Sequence, residues 1–248
     1  MHVSACLLFP VSYPTPNFQY SCPPGKAAVF VMPAKFKHSE PSKLPPGKRA
    51  VSTTPKGWPG GVTYLKTPAY SQRLTKDSLD ALTIPKASLR TGQVLERATG
   101  PSSSVKITAI TTASHPAHGQ YGLFASHHLP PDSYILCYIG FVHDRNDTDE
   151  HSDYDLSLDR DHGIVVDASR MGNEARFIND YRGVAQSANA EFREVWMDIG
   201  NGKVEKRMAV YVLSAGRSGK RAKGISKGEE ILVSYGKGFW SERLEATA

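Results

Sequence analysis

From residue 104 to 113 the chain reads SVKITAITTA, alternating polar and β-branched positions, and this two-residue period predicts a strand with one buried face. SYILCYIGFV (133–142) predicts a second strand with Gly140 in its interior. YDLSLD (154–159) and GIVVDA (163–168) predict two short strands joined by the turn residues DRDHG. EFREVWMDIGNGKVEKRMAVYVLSA (191–215) predicts a hairpin about Asn201-Gly202, a pair suited to a type I′ or II′ turn, and EEILVSYG (229–236) predicts a last strand. Helical character is confined to ASRMGNEARFIN (168–179), where Gly172 limits it. Many short strands and no internal repeat predict a mainly β domain of several small sheets.

Ahead of these strands the pattern changes. Of 17 prolines, 13 precede residue 101, and they interrupt every apolar run before it reaches helix length. Residues 1–100 carry 13 Lys+Arg and 4 Asp+Glu, whereas residues 101–248 carry 17 and 20. The expectation is a basic, proline-rich, largely disordered region over 1–100, a folded domain over 101–243 and a short tail over 244–248. A basic arm beside a mildly acidic domain suits an anionic partner such as nucleic acid; a solvated tail is the plain alternative.

The first residues, MHVSACLLFPVSYP, lack a basic start and are cut by Pro10, which argues against a secretory signal. No acid precedes Glu40, which keeps a mitochondrial presequence open, although Arg is absent until Arg49. No stretch reaches membrane-spanning length, so no membrane association is expected. Cys6, Cys22 and Cys137 are too few and too scattered for a disulfide framework or a zinc site, so a reducing compartment and no metal are expected.

Candidate chemistry lies between the strands. HGQYGLFAS (118–126) sets Gly119 and Gly122 around Gln120 and Tyr121, a loop able to grip a polar ligand through its backbone. RFINDYRG (176–183) sets Arg176 and Asn179 directly against Phe177 and Ile178, so strong polar groups sit in a run apolar enough to be buried. Tyr138 in CYIG and Tyr235 in VSYG each place a tyrosine beside glycine at a strand end.

Taken in order, HGQYGLFA, CYIG, DASRMGNEARFIN and ISKGEEILVSYG resemble four blocks of the SET-domain family of protein lysine methyltransferases, over roughly residues 103–243. The resemblance implies a β-clip fold of several small sheets closed by a C-terminal pseudo-knot, in which the Arg-Phe-Ile-Asn segment is threaded and buried. It implies S-adenosylmethionine as cofactor, held by Gly119, Gln120, Tyr121, Gly122, Arg176, Phe177, Asn179, Asp180 and Tyr235. Tyr235, Tyr138 and Tyr154 become the catalytic candidates, and Phe192 and Val233 become walls of a lysine channel that accommodates more than one methyl group. The segment GKGFWSERLEATA has no cysteine, which is similar to the family's zinc-free members and leaves Trp240, or else Phe239, to pack on the adenine.

The implied partner is a histone tail or another Lys/Arg-rich protein, attracted by the acidic run DRNDTDEHSDYD (144–155), and the implied place is the nucleus, with the chain a monomer. The departures from the family pattern are Asp180 in place of its usual His, a longer loop from Tyr181 to Asn189, Phe141 and Ser234 in place of acids, and the basic insertion GRSGKRAKG (216–224). The altered turn leaves a second reading, a domain that keeps the fold and serves chromatin as an interaction module without activity.

Overall fold

The computed structural model describes residues 54–89, 94–95, 100–149, 152–217, 219 and 221–236. In chain order the strands are β1 (Thr63–Tyr64), β2 (Ala69–Tyr70), β3 (Thr83–Pro85), β4 (Val94–Leu95), β5 (Val105–Ala109), β6 (Tyr121–Ala125), β7 (Tyr134–Cys137) and β8 (Phe141–His143). They continue with β9 (Asp155–Asp159), β10 (Ile164–Asp167), β11 (Met171–Gly172), β12 (Asn179–Asp180), β13 (Ala190–Gly200), β14 (Lys203–Val212) and β15 (Leu232–Val233). One α-helix, α1 (Lys76–Leu82), is capped by Thr75, whose hydroxyl accepts from the Ser78 amide. No helix among the described residues is long and apolar enough to cross a membrane.

The mainly β expectation holds, with the strands of the described residues in five small sheets. The largest has the order β3-β14-β13-β4, with β7 also on β14, and a second has the order β2-β8-β10-β9. Parallel pairs β1-β11 and β12-β15 and the antiparallel pair β5-β6 complete the set. Asn201 and Gly202 at the β13-β14 turn both have positive φ, 53° and 68°, as a type I′ turn requires. Leu123, Ile164, Val210, Ile225, Ile231 and Val233 are fully buried in one shared core.

The expected disorder does not extend to residue 100. Residues 1–53 lie outside the described residues, but β1 to β4 and α1 are built into the domain. β2, β3 and β4 each occupy an edge of a larger sheet, and Leu74, Leu82 and Leu95 are buried. Strands of two or three residues carry no readable alternation, and an edge position tolerates the prolines that masked them, such as Pro85 closing β3.

Other expectations shift in detail. The strand expected over 133–142 is two strands, β7 and β8, separated at Tyr138–Gly140, and the helical stretch is a 3₁₀ turn over Glu174–Phe177. At the break a β-carbon on Gly140 would stand 2.2 Å from the Asp167 carbonyl oxygen, so the two backbones approach too closely for any other residue. Asn173 fastens the break from behind, its amide donating to the Cys137 carbonyl at 2.8 Å and its oxygen accepting from the Ile139 amide at 3.1 Å. Those two groups flank Tyr138. Asn173→Ala would leave both unpaired in a buried place, and at about 1–3 kcal/mol for each such group the expected loss is roughly 2–6 kcal/mol, read as a lower urea midpoint. An unchanged midpoint would mean that water or another donor replaces the amide.

Candidate functional site

Three chain segments converge on the end of β15. On one side, the Ile231 amide donates to the Leu123 carbonyl at 2.8 Å and the Ala125 amide to the Glu229 carbonyl at 2.9 Å, tying the closing segment to β6. On the other, Asn179 pairs with Leu232 and Asp180 with Val233, and the Tyr181 amide donates to the Val233 carbonyl at 3.0 Å. Asn189 completes the enclosure: its side chain accepts from the Leu232 amide at 2.8 Å and donates to the Glu230 carbonyl at 2.7 Å. The closing segment is thus bonded along both flanks, to β6 on one side and to β12 on the other. It also shows how polar residues survive in the apolar run around Ile178.

Tyr235 sits at this junction. Its amide donates to an Asp180 carboxylate oxygen at 2.7 Å and its hydroxyl to the Ile178 carbonyl at 2.7 Å. Part of its ring surface remains open to solvent, with 36% of the residue exposed, while the hydroxyl is turned inward. Burial pushes that hydroxyl's pKa well above the ordinary tyrosine value, and the neighbouring Tyr154 adds to the effect. Tyr138 is raised likewise, by burial first and then by Tyr235, so the three expected tyrosines do come together. The Tyr138 hydroxyl donates to the Tyr154 carbonyl at 2.8 Å, and the Phe192 ring meets Tyr138 edge-on at 5.8 Å. Val233 is fully buried in β15, opposite Asp180. The hydroxyls of Tyr138 and Tyr235 are thus held in their uncharged form by burial, an arrangement that orients a polar atom without charging it.

Asp180, standing where the resembled family has His, contributes its side chain and not only its backbone. It is buried, and besides the Tyr235 amide it binds Arg182 through two contacts, at 3.1 and 2.8 Å. The longer turn after it is therefore anchored. Among the described residues Arg176 makes no ion pair with a carboxylate. Its guanidinium donates to the carbonyls of Ala168 and Ser169 at 2.9 and 3.2 Å and lies over the rings of Tyr154 and Phe177 at 4.6 and 4.9 Å. It braces the loop behind Tyr154.

The glycine loop forms the other half of the site. Residues 121–125, read from sequence as loop, are β6. Gly119 has φ +81° and no atom within 4 Å of where a β-carbon would stand, so the loop has an open face, and Tyr121 beside it is exposed. Gln120 is half-buried, with its amide on the Ala117 carbonyl at 3.0 Å. A β-carbon on Gly122 would stand 2.5 Å from a Glu230 oxygen, which explains the second glycine. The Asn179 amide joins loop to closing segment, reaching the Tyr121 carbonyl at 3.3 Å and Glu230 Oε1 at 2.7 Å. Phe177 lies edge-on to Tyr121 at 5.9 Å.

Several residues at this centre escaped the sequence reading. Glu230 Oε2 contacts His115 Nε2 at 3.1 Å, while His115 Nδ1 accepts from the Ala117 amide at 3.0 Å; the imidazole must therefore donate through Nε2. Trp58 meets Phe177 edge-on at 5.5 Å and Tyr64 at 5.0 Å, so an aromatic from the supposed arm lines the same wall. The only sequence signal for it was a tryptophan inside the turn-forming GWPGG (57–61). Trp240 and Phe239, expected near the adenine, lie outside the described residues. In the acidic run, Asp147 pairs with Arg73 at 3.2 Å and Asp149 with Arg170 at 3.1 Å, so part of the charge expected to draw a basic substrate is balanced within the domain.

Residues 120–236 match the family model described as SET domain. No curated protein matches the chain. Among solved structures it is similar to the crystal structure of the Chaetomium thermophilum polycomb repressive complex 2, at 24% identity over 56% of this chain and 16% of that chain, with TM-score 0.41. It is also similar to that complex in an autoinhibited conformation bound to S-adenosylmethionine, at 22% identity over 60% of this chain and 17% of that chain, with TM-score 0.41. The chain thus spans under a fifth of the length of those chains.

Proposed function

Residues 120–236 form a SET domain, and on that premise we propose that the protein transfers methyl groups from S-adenosylmethionine to a lysine ε-amine of a histone tail or another Lys/Arg-rich protein. One observation carries the reading: the inward Tyr235 hydroxyl, bonded to the Ile178 carbonyl at 2.7 Å, stands beside Tyr154 and Tyr138 where β12 and β15 pair. The residues present fit the cofactor, since the open face of Gly119, the exposed Tyr121 ring and Asn179 adjoin that pairing.

S-adenosylmethionine, when bound, supplies a methyl group on a positively charged sulfur. The residues that would hold it are Gly119, Gln120, Tyr121, Gly122, Phe177, Asn179 and Asp180, with Arg176 bracing the loop; Trp240, the residue expected at the adenine, lies outside the described residues. The chain's remaining work is done on the lysine. An amine attacks only when neutral, and a channel walled by Phe192, Val233 and neutral tyrosines lowers its pKa by excluding water. Tyrosine hydroxyls and main-chain carbonyls, Ile178 among them, then fix the direction of the lone pair and hold the methyl group by weak C–H···O contacts. Phe192 and Val233 bring no hydroxyl into the channel, which favours more than one methyl per lysine. A basic substrate, a nuclear location and nucleic-acid contact by the basic N-terminal region belong to the same proposal, as does action as a monomer.

Calorimetric titration of the purified chain with S-adenosylmethionine, together with transfer of a radiolabelled methyl group to a panel of histones and other basic proteins, tests this reading. Saturable binding and label on lysine are expected. Binding absent at millimolar cofactor would favour instead a domain retained for chromatin interaction.

A further inference from the structure

Outside the tyrosine cluster, three polar side chains meet on one face of the sheet β2-β8-β10-β9. His143 ends β8, Asp167 ends β10 and Asp155 begins β9. The register sets Asp167 opposite both Phe141 and Asp155, and His143 opposite Val165, so all three project from the same side of adjacent strands. One ligand atom from each, an imidazole nitrogen and two carboxylate oxygens, lies within 4.8 Å of the others.

His143 is fully buried, and its Nδ1 lies 2.8 Å from the Asp144 carbonyl. A carbonyl only accepts, so Nδ1 carries a proton, and in the neutral imidazole Nε2 then presents a lone pair. That Nε2 is buried and without a hydrogen-bond partner, with Asp155 Oδ1 3.7 Å away. A lone pair aimed at carboxylates, and two carboxylates placed directly across from each other, repel unless a cation stands between them. The carboxylate of Asp167 is already oriented, accepting from Ser152 Oγ at 2.8 Å, from the Ser169 amide at 2.8 Å and from Ser169 Oγ at 2.6 Å. An imidazole fixed through its far nitrogen and a carboxylate fixed by outer donors are the supports that metal ligands use. Access exists: Asp167 also lines a cleft of about 620 Å³ with Phe141, Asp147, Thr148, Asp149 and Arg170.

We propose that His143 Nε2, Asp155 and Asp167 bind a divalent transition-metal cation that staples β8, β9 and β10. One imidazole with two carboxylates suits zinc or manganese over magnesium or calcium, which prefer oxygen alone. At metal–ligand distances of about 2.0–2.2 Å a tetrahedral site sets its donors about 3.4 Å apart, so the 3.7 Å between His143 Nε2 and Asp155 Oδ1 is near that spacing and the wider pairs, up to 4.8 Å, draw together on binding. The scarcity of cysteine is no obstacle, because this donor set contains none.

The test uses the full chain, stripped with EDTA and titrated calorimetrically with Zn²⁺, with Mg²⁺ as the contrast. One Zn²⁺ per chain with a Kd at or below about 10 μM is expected, accompanied by a rise in Tm, with Mg²⁺ at least tenfold weaker. Asp155→Asn, at an exposed position, should weaken Zn²⁺ at least tenfold without altering the fold. His143→Gln should weaken it likewise, but because that change falls in the buried interior, Asp155→Asn decides the matter. Zn²⁺ affinity unchanged in Asp155→Asn, or no binding at 100 μM in the parent chain, overturns the proposal and leaves a protonated His143 to bridge the two carboxylates.

Discussion

Replacing Tyr235 by Phe is expected to lower the rate of methyl transfer by about a hundredfold or more while leaving cofactor binding within roughly threefold. Loss of one preorganised group aimed at reacting atoms typically costs ~10²–10³ in rate, or about 3–4 kcal/mol. The substitution removes only the hydroxyl that meets the Ile178 carbonyl. The bond from the Tyr235 amide to Asp180 is made by the backbone and survives, and so does the β12-β15 pairing. The cost in stability is that of one unpaired carbonyl, about 1–3 kcal/mol, small enough for the protein to remain folded. Initial rates with radiolabelled cofactor, read beside a calorimetric Kd, separate the two effects. A rate equal to that of the parent would remove Tyr235 from the mechanism, whereas a lost Kd would assign it to binding instead.

The second large effect concerns a chain that begins at residue 101. Had the preceding region been a passive tail, this truncation would be silent; the structure gives the opposite expectation. It removes β1 to β4, and with them the buried side chains Leu74, Leu82 and Leu95 and the Trp58 ring against Phe177. At about 1.5–3 kcal/mol for each large apolar side chain, the loss is roughly 5–10 kcal/mol, comparable with the whole net stability of an ordinary domain at about 5–15 kcal/mol. Polar contacts go too. The Tyr70 hydroxyl accepts from Arg207 at 2.6 Å and donates to Glu205, and both of those charged residues are buried in β14. The shortened chain should therefore show no cooperative urea transition at 25 °C and no near-ultraviolet circular dichroism. A transition at the parent midpoint would make the N-terminal strands dispensable.

Much of the architecture was legible because the long elements obey simple periods. The hairpin β13-β14 has a turn pair that tolerates positive φ, so its place could be read from residues alone, whereas the shift of register between Asp198 and Gly200 could not. The four site blocks were legible through their resemblance to a known family, and part of that pattern has a physical basis: a backbone that approaches another closely, as at Gly140 and Gly172, admits glycine only. The two-residue strands had no such mark. β1, β2 and β4 acquire their conformation from the edge they cover, so their own residues carry almost no local preference.

The sequence by itself determined that the C-terminal portion is built from many short strands, and its resemblance to the SET-domain family implied that the glycine loop, the Arg-Phe-Ile-Asn segment and the closing tyrosine belong to one site. Only the tertiary structure decided that the chain from residue 54 is part of the domain, that Asp180 holds Tyr235 and Arg182 together, and that His143 faces two carboxylates across neighbouring strands. The physical reason is range: periodicity and turn chemistry act between residues a few positions apart, whereas edge pairing, ion contacts and metal-binding geometry depend on groups that meet only after the chain has folded back on itself.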